Sequence, residues 1–222
     1  MVASPFMKAQ DLPLVIPVFP LDGALLLPHA QLPLQIFEPR YIDMVDEAMA
    51  SERLIGMVQT RPGGDPERPM LEGVGCAGKI TTFAETSDGR YLITLTGLSR
   101  FAVREELAVR TPYRQVRVDF MPFQADLEPV QDDEEGFDRL RLLGALKRYL
   151  EHRSLDVDWE VAKAAPPEAL VNSLAMALPF DPAEKQALLE APTLPDRRET
   201  LVALMEIDAR ASGDEDQPTS IQ

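Results

Sequence analysis

Along the chain, hydrophobic and polar positions change period near residue 123. Before it, apolar runs are short and broken by proline, at 14–19, 24–27 and 32–37, which predicts buried or edge strands that turn a corner at each proline. Residues 54–59 form a further apolar strand. Residues 79–85 and 90–96 flank Ser87, Asp88 and Gly89, the pattern of a hairpin with a glycine-containing turn. From 113 to 121, Val116, Val118 and Phe120 alternate with Gln115, Arg117 and Asp119, as in a strand with one wet face. One helix interrupts: Pro39 suits a first helical position, and Tyr41, Met44, Val45, Ala48 and Met49 follow at helical spacing.

Beyond residue 123 the period is helical. Leu142, Leu143, Leu146, Tyr149 and Leu150 form one stripe; Leu170, Val171, Leu174 and Leu178 form another behind Pro166 and Pro167. Asp181, Pro182 and Glu184 spell a capping-box start for a short helix ending near Glu190. A last helix follows Pro195, with Leu201, Leu204 and Met205 on one face. The expected organisation is a β-domain over 1–123, an acidic linker over 124–135, a helical bundle over 136–211 and a disordered tail over 212–222.

Composition then narrows the function classes. Among 222 residues there are 22 basic and 37 acidic, net −15. The acidity belongs to the second part: up to Phe123 there are 12 basic and 15 acidic residues, net −3, and beyond it 10 and 22, net −12. Such a balance opposes phosphate backbones and anionic lipid surfaces, so a nucleic-acid partner is disfavoured. A single cysteine, Cys76, suits a reducing compartment, and no run reaches the roughly 18 apolar residues of a membrane span; a cytoplasmic location without membrane attachment is expected.

The most chemical-looking string, Gly73 to Lys79, satisfies G-x-G-x-x-G and nearly satisfies the phosphate-loop pattern. A phosphate site needs a helix opening behind it, and here Ile80, Thr81, Thr82 and Phe83 continue as a strand, with Ile80 where the loop wants a hydroxyl. His29 and His152 lie far apart without metal-ligand spacing, no G-x-S-x-G occurs, and Cys76 among glycines reads as a small core residue. No catalytic residue, metal or cofactor is expected, and neither ATP hydrolysis nor proteolysis.

The string PVFPLDGALLLPHAQLPLQIFEPRY at 17–41 resembles the opening of the Lon protease N-terminal, substrate-binding domain family. EGVGCAGKI at 72–80, GLSRF at 97–101, PYRQVRV at 112–118 and LPFDPAEKQALLEAPTLPDRRETL at 178–201 follow in the family's order. The resemblance implies an α+β chain, a PUA-like β-pseudobarrel followed by a small C-terminal helical bundle, that recognises polypeptide. Full-length Lon proteases continue into an AAA+ ATPase and a Ser-Lys peptidase, whereas this chain stops before either, so a stand-alone, non-enzymatic form is expected.

Of the matching residues Pro20, Leu21, Pro28, Pro33, Phe37, Glu38, Arg40, Tyr41, Gly73, Gly75, Gly97, Arg100 and Phe101, most read as architecture: prolines at corners, glycines at close approaches, aromatics in the core. Glu38 is expected to accept from first-turn amides of the helix, and Arg40 to bridge to the barrel. The expected role is an adaptor or holdase for unfolded or apolar polypeptide segments, in company with a protease or chaperone. Met70 and Leu71, beside a proline-rich loop over 61–69, are the expected contact residues. Met57 is a third, with core packing inside its strand as the competing reading. RNA binding by a PUA-like domain, or small-molecule binding in an interdomain cleft, are the alternatives.

Overall fold

The computed structural model describes residues 8–65, 68–129 and 136–211. Strands β1 (Val15–Pro20), β2 (Gln31–Ile36), β3 (Leu54–Val58), β6 (Val74–Glu85), β7 (Tyr91–Glu106) and β8 (Arg114–Asp119) form one mixed sheet in the order β2-β7-β6-β3-β1-β8. β8 also pairs with β7, through Ala102↔Asp119 and Val103↔Val118, so five strands close on themselves while β2 stays outside the ring. Closure buries Ile16, Val18, Leu54, Ala77, Phe101, Val116 and Val118 together. Helix α1 (Pro39–Met49) buries Tyr41, Met44, Val45 and Ala48, the face its spacing predicts. The architecture is α+β.

Four local expectations give way. Residues 24–27 form no strand; Leu25, Leu26 and Leu27 are buried in irregular backbone whose turn includes His29 at φ 63°. The proline-rich loop is a two-stranded hairpin, β4 (Thr60–Asp65) with β5 (Arg68–Leu71). The start of the polar linker is a 3-10 helix (Met121–Leu127) that buries Asp126 against Arg100. Glu38 caps no amide of α1: its carboxylate accepts from Arg40 Nε at 2.9 Å, and Arg40 lies over the Tyr41 ring instead of reaching the barrel.

Two compact units emerge. The first holds the strands and α1, together with most of α5 (Pro182–Glu190). The expected bundle over 136–211 is thus divided: α5 docks within the sheet's unit through polar contacts, Lys185 Nζ to Gly23 C=O at 2.8 Å, Gln59 Nε2 to Pro182 C=O at 2.9 Å and Gln186 Nε2 to Val74 C=O at 3.1 Å. Its capping box forms, with Asp181 and Glu184 each accepting from the other's amide at 2.9 Å.

The second unit comprises α2 (Arg139–Arg153), α3 (Trp159–Ala164), α4 (Pro167–Ala177) and α6 (Leu194–Ala211). Leu142, Leu146 and Tyr149 of α2 and Leu201 and Met205 of α6 are fully buried, and Arg141–Glu199, Arg148–Glu206 and Arg153–Asp208 pair the two helices along their length. The acidic run 132–135 and the tail 212–222 lie outside the described residues.

Candidate functional site

β6 and β7 are longer than the barrel needs; their far arms, 80–85 and 91–96, pair with each other, and the β7 arm also pairs with β2. Register sets rows across the three strands: Leu34, Ile93 and Phe83 in one, Gln35, Leu92 and Ala84 in the next, on opposite faces. Ile93 is buried, yet Phe83 is 41% and Leu92 45% exposed, and Phe37, just past β2, is 61% exposed. Leu92 occupies the polar phase of an alternation in which Ile93 and Leu95 point inward, an apolar residue where Thr94 and Thr96 would predict another hydroxyl. Phe83 is held edge-on to Tyr91 at 4.8 Å. The Tyr91 hydroxyl donates to Asp46 of α1 at 3.0 Å, which raises its pKa and anchors the pair.

Across β2 and these two arms lies a surface cavity of about 490 Å³, bordered by Pro33, Leu34, Gln35, Phe83 and Leu92 among others, none of its lining residues ionisable. The threonines there satisfy one another, Thr82 Oγ1 donating to Thr94 Oγ1 at 2.7 Å, so their hydroxyls compete little for a ligand. In a chain with 27% charged residues, this is an apolar surface without counter-charge.

The β4–β5 hairpin is a different environment. Met70 is 44% exposed and leans toward Gly63, where an added Cβ would stand 3.2 Å from its sulfur. Leu71 is buried with the barrel core, and Met57 is 2% exposed inside β3, so only Met70 of the three expected contact residues reaches the surface. Its neighbourhood is charged: a cavity of about 670 Å³ beside the hairpin is lined by Asp22, Arg61, Asp65, Glu72 and Asp181. Glu106 ties Arg68 of the hairpin, at 2.5 Å, to Arg114 of β8. Partial burial pushes the Glu106 carboxyl up, but the two guanidiniums outweigh it and hold its pKa below the usual range.

Of the family-motif residues, Pro33 lines the apolar cavity and the others do not. Pro20 ends β1 and Pro28 is buried after Leu27. Tyr41 and Phe101 are core, whereas Phe37 is exposed. Gly97 and Gly75 mark close approaches, with an added Cβ 2.0 Å from Leu27 C=O and 2.5 Å from the Phe101 ring; Gly73 faces open space. Arg100, 4% exposed, binds both Asp126 oxygens at 2.8 Å and donates to Leu189 C=O at 3.1 Å. The glycine-rich string runs directly into β6, with Lys79 opposite Thr96, so no helix N-terminus stands behind it. Among the described residues no three His, Cys, Asp or Glu side chains gather as a metal site, and no helix is long and apolar enough to cross a membrane.

Comparison with known proteins agrees with this architecture. Solved structures of a Lon N-terminal domain protein from Xanthomonas campestris (24% identity, TM-score 0.58, 85% of this chain and 97% of that one) and of the N-terminal domain of Mycobacterium avium complex Lon protease (18%, TM-score 0.59, 86% and 98%) share the fold. In sequence, the chain is 26% identical to Lon protease 2 of Myxococcus xanthus over 88% of its own length and 34% identical to the Lon protease of Syntrophus aciditrophicus over 50%. It spans 24% and 15% of those two proteins. The model of the ATP-dependent protease La (LON) substrate-binding domain matches residues 15–206, and the chain belongs to that family.

Proposed function

We propose that this chain is a non-enzymatic recognition module for unfolded or apolar polypeptide segments, holding or presenting them as an adaptor or holdase in company with a protease or chaperone. The carrying observation is the charge-free sheet surface on which Leu92 stands exposed, with Phe83 exposed on the opposite face of the same arms. Family membership supports substrate binding, and the surface supplies what an exposed hydrophobic stretch would cover. A phosphate backbone finds no cation among its lining residues, which disfavours the RNA reading at this surface.

Titration into a fluorescent, permanently unfolded polypeptide should give a Kd of about 1–100 μM, the strength of a transient contact. Replacing both Phe83 and Leu92 with serine should weaken it at least tenfold, since covering a large apolar side chain is worth about 1.5–3 kcal/mol and tenfold is 1.4. Met70→Ser reads the hairpin separately. No binding near millimolar protein, or full affinity in the double variant with its melting temperature unchanged, would remove the proposal.

A further inference from the structure

We propose that polypeptide binds here by strand addition: an extended, uncharged segment pairs with the outer edge of β2. The inference rests on the polypeptide-recognition reading and adds to it a mode and a sequence requirement. β2 ends the sheet order, and among the described residues no strand lies on its far side. Its backbone polarity follows from one bond. Gly97 N–H donates to Ala30 C=O at 2.8 Å, and the register continues as Gln31↔Thr96 and Leu32↔Leu95. Antiparallel ladders alternate, so Leu32, Leu34 and Ile36 are bonded to β7, while Gln31 and Gln35 turn N–H and C=O outward and Pro33 turns its C=O outward. Proline thus occupies a position where β7 needs no donor, as an edge strand permits.

Side chains beside that edge name the occupant. Gln31, Pro33 and Gln35 are exposed on one face, and Leu32 and Leu34 are only half-buried on the other. An added strand would lay alternate side chains over Leu32 and Leu34 and the rest toward Pro33 and the cavity beside Leu92. β2 carries no charged residue, and neither does the cavity lining, so a segment of alternating apolar and small polar residues fits and a charged one does not. Natural sheets usually guard such an edge with lysines or bulges; here Pro33 is the sole guard, and it removes one donor of the row while leaving the acceptor.

The test uses a labelled decapeptide of alternating valine and serine and the same peptide methylated at four consecutive central backbone nitrogens. The parent should bind in the micromolar range and the methylated form at least tenfold more weakly, because two or more backbone bonds are lost. Hydrogen exchange read by NMR should show the Gln31 and Gln35 amides newly protected. Equal binding of both peptides would overturn strand addition while leaving apolar recognition intact. Protection elsewhere with Gln31 and Gln35 unchanged would overturn its placement. Failure of both peptides and of unfolded polypeptide would remove the recognition reading, and this inference with it.

Discussion

At the scale of single residues, a motif position and the reason for it come apart. Gly73, Gly75 and Gly97 stand together in the family pattern, yet only two are required by space. A methyl on Gly97 would meet the Leu27 carbonyl carbon at 2.8 Å and its oxygen at 2.0 Å, and both are backbone atoms of a buried segment that cannot turn away. Gly97→Ala should therefore cost roughly 2–4 kcal/mol in chemical denaturation, whereas Gly73→Ala should stay within about 0.5 kcal/mol of the parent. Equal costs would mean that backbone freedom, not contact, selects these glycines. The sequence supports glycine at both sites but cannot separate them, because the clashing partner of Gly97 is seventy residues earlier. Phe37 and Leu92 escape in the same way: hydrophobicity argues for burial, yet Phe37 stands just past the edge strand β2 and Leu92 on the outward face of β7, and both are exposed.

At the scale of elements, what periodicity detects was legible and what polar docking determines was not. The β6–β7 hairpin, α1 and the capping box of α5 follow from alternation, helical spacing and turn chemistry, and each forms as read. The 3-10 helix Met121–Leu127 and the placement of α5 do not, since they are fixed by Arg100, Gln59, Gln186 and Lys185 acting over tens of residues, on segments that look solvated. Arg100 is central: its guanidinium binds Asp126 of the 3-10 helix and Leu189 of α5 and stacks on Phe123 at 4.8 Å, with both charges nearly dry. Removing one partner leaves the other charged and buried, so Arg100→Met should cost about 3–5 kcal/mol by urea unfolding. Arg100→Met combined with Asp126→Leu should recover much of that loss, because neither charge then remains. A double variant no better than the single one would assign the cost to lost packing or to the Leu189 contact.

For the whole molecule, charge decides how an uncharged surface is approached. The chain carries net −15 and places none of that charge in the lining of the sheet cavity. Binding at that surface gains nothing from an ion pair, yet every client enters the field of the entire protein. An acidic unfolded polypeptide is repelled at low salt and a basic one attracted, over a Debye length of about 10 Å at 0.1 M that shrinks to about 3 Å at 1 M. Burial of apolar side chains is not screened. Two labelled unfolded polypeptides of equal length and apolar content, one acidic and one basic, should therefore respond oppositely to sodium chloride between about 0.05 and 1 M. The acidic one should tighten, the basic one should weaken, and their affinities should converge on a common micromolar value. Complete loss of both by 1 M would show that ion pairs hold the client, and would move the contact from the sheet edge to the charged surroundings of the β4–β5 hairpin.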